Sequence, residues 1–229
     1  MTKESKIEVK PKMKLSGREI FNRVVIFFVI GCVFGTYYEE LLTLVKNFMG
    51  TGELIWESRR GLLYGPFSPV YGIGAVLIYL MFYQPGLNWW RCLVGGALFG
   101  GALEFGLSVV QEWMFGTISW DYSNRPLNIA GRTTIPYMLF WGVLVAVLAQ
   151  WVCPWIESMC ERVPKDILNG VCTIAAVILV LDIALSVIAA ARQTARRMGD
   201  SADNIVEVML DTYYNDERMQ KTYQNTRPK

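Results

Sequence analysis

Charged residues crowd the two ends of this chain and a few short connections, and between them lie five long apolar segments: Val24–Val45, Phe67–Tyr83, Trp90–Phe115, Ile135–Ile156 and Ile167–Ala191. Four of these exceed the ~20 residues a helix needs to cross a ~30 Å hydrocarbon core, and the second sits at the lower limit of about 17. Tryptophans gather at the segment ends (Trp89, Trp90, Trp113, Trp151, Trp155), as an interfacial aromatic belt requires. The pattern predicts an all-α, polytopic integral membrane helix bundle of about five transmembrane helices. Residues 1–19 form a basic N-terminal tail, 20–197 the transmembrane helical domain and 198–229 a polar C-terminal tail. Val29-Ile30-Gly31-Cys32 has the look of a lipoprotein cleavage box, but the apolar run before it is short and resumes after it, so the segment reads as a span.

Within this frame the polar positions are ordered. Gly31, Gly35 and Glu39 are spaced four apart and share one face of the first helix, where two small residues admit a close neighbour. Glu40 is expected to face elsewhere, toward the interface. Before the second helix, Arg60-Gly61-Leu62-Leu63-Tyr64-Gly65-Pro66-Phe67-Ser68-Pro69-Val70-Tyr71-Gly72-Ile73-Gly74 carries two prolines and four glycines. Such a stretch predicts a broken or re-entrant element buried by its neighbours, because irregular backbone at membrane depth survives only inside protein or beside water. An ordinary loop leading to a proline-started helix reads the same residues equally well. The third segment is rich in glycine (Gly95, Gly96, Gly100, Gly101, Gly106) and carries Glu104, Ser108 and Glu112 as one stripe at i, i+4, i+8. Trp120, Asp121, Tyr122, Asn128 and Arg132 follow in the connection to the fourth segment. The fifth carries Asp182 and Ser186, again four apart, and runs into Arg192, Arg196 and Arg197. In the polar tail, Ile205, Met209 and Tyr213 suggest one amphipathic helix.

With five crossings, the odd-numbered spans all run the same way. Glu39, Glu104, Glu112 and Asp182 then fall in the same half of the bilayer, with the two unusual connections on that side as well. The charged residues would make one site, in which Arg132 and Glu104 pair and Arg60, Glu39 and Asp121 are further members. Ionisable groups at such depth are functional-site candidates by default, since an unpaired charge is costly there. Lysine and arginine are spread over both sides, so the positive-inside rule assigns neither to the cytoplasm.

Composition agrees with a membrane protein: 53% of the 229 residues are apolar and 18% charged, the latter below the ~25% of soluble domains. The absence of histidine removes a neutral-pH imidazole base or ligand. The five cysteines (Cys32, Cys92, Cys153, Cys160, Cys172) lie in or beside the spans without a CxxC pair and read as small buried apolar residues. There is no GxxxxGK[ST] and no GxSxG; after Gly106 and Ser108, Val110 stands where the last glycine would be. The sequence thus carries no recognised catalytic motif and implies no metal, no cofactor and no nucleic-acid partner.

The motifs resemble those of a bacterial membrane family described as putative ABC-transporter type IV. The resemblance runs from about Phe27 to Pro164. It is carried by Gly35…Glu39, Arg60-Gly61-Leu62-Leu63-Tyr64-Gly65-Pro66…Pro69-Val70-Tyr71-Gly72, Glu104…Ser108…Glu112, Trp120-Asp121-Tyr122-Ser123…Pro126…Asn128…Gly131-Arg132, and Trp141-Gly142. Ser119 stands where the family often has a second aromatic residue, and the N-terminal tail is longer than the family's. The resemblance implies a multi-pass protein of the bacterial plasma membrane with a transport role. Three functional classes remain open. One is a permease-like component moving a small polar solute, ion or lipid, which without its own P-loop would need a separate nucleotide-binding ATPase subunit for an ABC role. The second is a membrane-embedded enzyme acting on a lipid or lipid-linked substrate. The third is a non-catalytic assembly or regulatory partner in which the charges are internal glue. The candidate site residues are Glu39, Arg60, Tyr64, Tyr71, Glu104, Ser108, Glu112, Trp120, Asp121, Tyr122, Asn128, Arg132 and Asp182. The glycine faces of the first and third spans would serve internal packing or a homo-oligomer equally.

Overall fold

A computed structural model describes residues 15–115 and 120–224. Ser119 and the basic tail up to residue 14 lie outside the described residues. All five apolar segments are helical: α1 (Gly17–Thr51), α2 (Pro69–Phe82), α3 (Trp89–Phe115), α4 (Ile135–Arg162) and α5 (Lys165–Arg197). Two short helices follow, α6 (Ile205–Tyr213) and α7 (Asp216–Thr222). Four helices, α1, α3, α4 and α5, are long and apolar enough to cross a membrane. At 14 residues, α2 rises only about 21 Å, short of a full crossing by itself. All five cysteines are free and buried.

The chain divides into two compact units, the boundary falling inside α2 between Val76 and Leu77. The first is built from Leu77–Val163. Here α3 and α4 pack antiparallel along the glycine face: a Cβ added at Gly96 would stand 2.5 Å from Val145, one at Gly101 2.6 Å from Met138, and Gly100 lies under Trp141. From the other side Gly142 abuts the Leu93 carbonyl and Ala97. Small residues let two backbones approach to this depth without any hydrophobic driving force in lipid. The core beside this seam is Ile78, Phe82, Cys92, Val145, Ala146 and Ala149. A π-turn at Leu148–Val152 precedes Pro154 in α4. It accompanies the missing proline N–H, and nearby Gln150 donates to the Leu87 carbonyl at 2.9 Å.

The second unit comprises Ser16–Val76 and the chain from Pro164 onward. A capping box between Ser16 and Glu19 starts α1. Arg18 and Asn22 near that start bond Asn169 near the start of α5, so the two helices lie parallel. The Gly31–Gly35 face of α1 receives α2: Gly31 abuts Ala75 and the Tyr71 carbonyl, and Gly35 lies under the Tyr71 ring. Gly72, read above as part of the irregular stretch, is helical and packs on Phe28 and Cys32. Both glycine faces are therefore used inside the chain.

Candidate functional site

Between the end of α3 and the start of α4 the chain folds into a small β-ribbon, β1 (Asn128–Ile129) pairing antiparallel with β2 (Thr133–Thr134). Its three-residue loop puts Ala130 and Gly131 at positive φ, 50° and 69°, the left-handed conformation a tight three-residue hairpin demands. Asn128 braces the turn from inside, accepting from the Gly131 N–H at 2.9 Å and donating to the Arg125 carbonyl at 2.8 Å. Thr134 caps α4 through the Tyr137 N–H, with Pro136 in the first turn.

The ribbon meets every member of the polar stripe on α3. Thr133 donates to Glu104 at 2.6 Å and the Tyr122 hydroxyl donates to its other oxygen at 3.1 Å. Arg132 donates to Ser108 at 3.0 Å and forms an ion pair with Glu112. The guanidinium also lies over the Phe105 ring, and Trp120 holds the Arg132 carbonyl through its indole N–H at 2.9 Å. The expected Arg132–Glu104 pairing is thus corrected. Arg132, the last residue of the loop, reaches Ser108 and Glu112, whereas its neighbour Thr133, the first residue of β2, takes Glu104 one turn deeper. Thr133 escapes a sequence reading because a hydroxyl carries no charge signal; its place beside Arg132 in a Thr-Thr-Ile-Pro helix start is the one available hint.

A cavity of about 130 Å³ opens here, lined by Ser108, Glu112, Trp120, Asp121, Ser123 and Arg132 and by the loop backbone at Ala130 and Gly131. The Asp121 carboxylate accepts from the Ser123 hydroxyl at 2.6 Å and the Ser123 N–H at 2.8 Å, and these two bonds hold it below the usual carboxylate range. Burial first, and then the Glu104 carboxylate, push the Tyr122 phenol up to about 12. Tyr122 therefore stays protonated and remains a donor. The arrangement can present a guanidinium, two carboxylates and two hydroxyls to a small polar group.

The other candidate residues belong to the second unit. The Tyr71 hydroxyl donates to Glu39 at 2.5 Å, completing the contact that Gly31 and Gly35 begin. Residues 59–68 are not helical, and α1 and α5 satisfy much of their backbone. The Arg59 N–H donates to Glu40 at 3.2 Å, the Ser68 N–H to the Cys32 carbonyl at 3.3 Å, the Leu63 N–H to Ser186 at 2.9 Å and the Tyr64 N–H to Asp182 at 3.3 Å. This coil descends along α1 from the level of Glu40 to that of Cys32, about 12 Å of helix rise. Glu40, expected at the interface, is instead buried and receives the start of the coil. Its adjacency to Glu39 hid this, since the two point to different neighbours. Arg60 donates to Ser58 at 3.0 Å.

The C-terminal helices also reach this coil. Leu210, Tyr214 and Met219 form a cluster with Leu63 and Ala189, Tyr64 and Tyr214 share a hydrogen bond at 2.9 Å, and the Ser58 N–H donates to Gln224 at 2.7 Å. Burial and the Tyr64 hydroxyl push the Tyr214 phenol up to about 12. Among the described residues, no group of three or more carboxylate or thiol side chains is gathered as a metal site.

Comparison with curated proteins and with solved structures found no match. Residues 26–187 match a family described as putative ABC-transporter type IV. This covers the candidate residues in both units and well over half of the chain, so the chain belongs to the putative ABC-transporter type IV family of membrane proteins.

Proposed function

We propose that the chain is a permease-like membrane component that passes a small polar solute, ion or lipid across the bacterial plasma membrane, with the energy of ATP supplied by a separate subunit. The observation that carries this reading is the polar stripe of α3. Glu104 and Ser108 lie within, and Glu112 just beyond, the stretch of α3 that is apolar enough to cross a bilayer, and Ser108 and Glu112 line an open cavity with Arg132 and Asp121. A helix in lipid has no reason to keep such a stripe open to a cavity unless something polar is received there. The coil at residues 59–68 supports the same reading, since transporter sites are often built from interrupted helices whose irregular backbone is enclosed by protein. The chain has no P-loop of its own, hence the second subunit.

The multi-pass topology is supported by the parallel packing of α1 and α5. Parallel first and last spans need an odd number of passes between them, which α3, α4 and the coil with α2 supply together. In that arrangement the coil and the short α2 make one broken pass.

A non-catalytic assembly role is favoured by one observation of its own, the saturation of Glu104 by internal hydroxyl donors. Metabolite profiles of a deletion strain complemented with the wild-type chain or with Ser108→Ala/Glu112→Gln separate the two. Transport predicts that one polar solute is redistributed across the membrane in the deletion, that the variant fails to restore it, and that an ATPase co-purifies with the wild-type chain in mild detergent. An unchanged solute profile with normal complex formation would sink the transport reading.

A further inference from the structure

The C-terminal helix α6 has two faces, and among the described residues only one of them has a partner. Glu207, Leu210, Asp211 and Tyr214 turn toward the end of α5. There Arg192 clamps Asp211 through two nitrogens at 2.8 and 2.9 Å, Arg196 reaches Asp211 at 2.6 Å and Asp216 at 2.9 Å, and Glu207 lies 3.7 Å from Arg192. The opposite face carries Ile205, Val206, Met209 and Tyr213. Their spacing puts all four within about a quarter turn of one another, and they are 77%, 59%, 54% and 60% exposed. A helix in water turns its apolar residues inward; here Leu210 and Tyr214 do so beside the charged Glu207 and Asp211, but a further apolar stripe faces out.

The position of α6 says what covers that stripe. α5 is the most apolar of the four candidate spans, and its apolar run ends at Ala191, immediately before Arg192. The residues that hold α6, Arg192 and Arg196, form the first turns beyond that run, at the depth where the helix leaves hydrocarbon and enters the headgroup layer. Because α6 is pinned to those two arginines by its carboxylates, its free face lies at the same depth. A helix with an apolar stripe ending in a tyrosine, held at that level, has the pattern of an interfacial membrane helix.

We infer that α6 is an interfacial helix whose Ile205–Val206–Met209–Tyr213 face is embedded in the lipid surface beside the end of α5, anchored to the span by the Arg192–Asp211–Arg196 clamp. α6 lies beyond the residues that match the family. The inference does not rest on the transport reading.

The test uses the full chain in phosphatidylcholine–phosphatidylglycerol vesicles. Met209→Cys, and separately Ile205→Cys, are labelled with an environment-sensitive fluorophore, with Lys221→Cys as the polar control. The native cysteines are all buried, so the wild-type chain is the labelling blank. Blue-shifted emission at 209 and 205, with quenching by nitroxide-labelled lipid and protection from iodide, is the expected result. Iodide quenching as strong as at 221 would place the face in water and overturn the inference. Protection from iodide and from nitroxide lipid alike would also overturn it, because the cover would then be protein: a second copy of the chain or another subunit.

Discussion

Removing the Thr133 hydroxyl while keeping its shape tests the local architecture of the α3 stripe most directly. Thr133→Val replaces a donor 2.6 Å from Glu104 with a methyl group at a position 2% exposed. The lost bond is to a carboxylate, and a hydrogen bond to a charged group contributes about 1.5–3 kcal/mol when one partner is deleted and the other stays buried. Tyr122 remains on the other oxygen at 3.1 Å, which keeps the expected loss near the middle of that range, about 2 kcal/mol. For a chain of this size that lowers Tm by roughly 4–8 °C. With Glu104→Gln already present, the same threonine change removes only a neutral bond of about 1 kcal/mol, so the cycle should show a coupling of about 1 kcal/mol between 133 and 104. Arg132 touches Ser108 and Glu112 instead. Its coupling to Glu104 should stay below about 0.5 kcal/mol, while its coupling to Glu112, whose side chain is 53% exposed, should reach at most about 1 kcal/mol because solvent screens it. Thermal unfolding of the four single variants (at 133, 104, 132 and 112) and the three double variants of these cycles in one detergent gives every term. Strict additivity of Thr133→Val with Glu104→Gln, or a larger coupling of Arg132 to Glu104 than to Glu112, would refute the assignment of donors to the stripe.

Three further outcomes are expected. Single cysteines at Ser58, Ser123 and Ser201 should react with an impermeant thiol reagent from one side of the membrane, and those at Ser16, Gln84 and Ser158 from the other; opposite labelling of Ser58 and Ser123 would break the five-pass arrangement. Gly72→Leu should destabilise by about 3 kcal/mol or more through overpacking, since even a Cβ there would meet Cys32 at 2.5 Å and the Phe28 carbonyl oxygen at 2.9 Å. Leu77→Ala, at a half-buried position, should cost clearly less in the same thermal assay; equal tolerance would mean that α2 does not pack closely on α1. Asp211 is held down to about 2, first by the Arg192 hydrogen bond and then by Arg196, against about 3.9 in an unfolded chain. A depressed carboxylate stabilises above the unfolded value and loses that contribution as pH falls through the folded one. Proteolytic release of α6 and α7 should therefore rise between about pH 4 and pH 2, and Asp211→Asn should flatten that part of the profile.

Much of this protein was legible before any tertiary contact was known, because a membrane punishes the wrong residue at the wrong depth. Apolar length alone marks all five main helices, from Val24–Val45 in α1 to Ile167–Ala191 in α5. Four-residue spacing marks the α1 face on which Gly31, Gly35 and Glu39 meet Tyr71, and the α3 stripe that the ribbon binds. These are periodic, one-dimensional properties, and a helix converts them into faces without further information. Which partner each polar group takes is not periodic. Arg132 chooses Glu112 over Glu104 because a three-residue ribbon loop sets its direction. Glu40 is buried because a coil far from helical geometry brings the Arg59 N–H to it. The outward turn of Ile205, Met209 and Tyr213 depends on arginines at the end of α5 claiming the opposite, acidic face of α6. In each case the deciding contact joins residues whose relation is set by a loop's path through space, and no local pattern in the chain records that path.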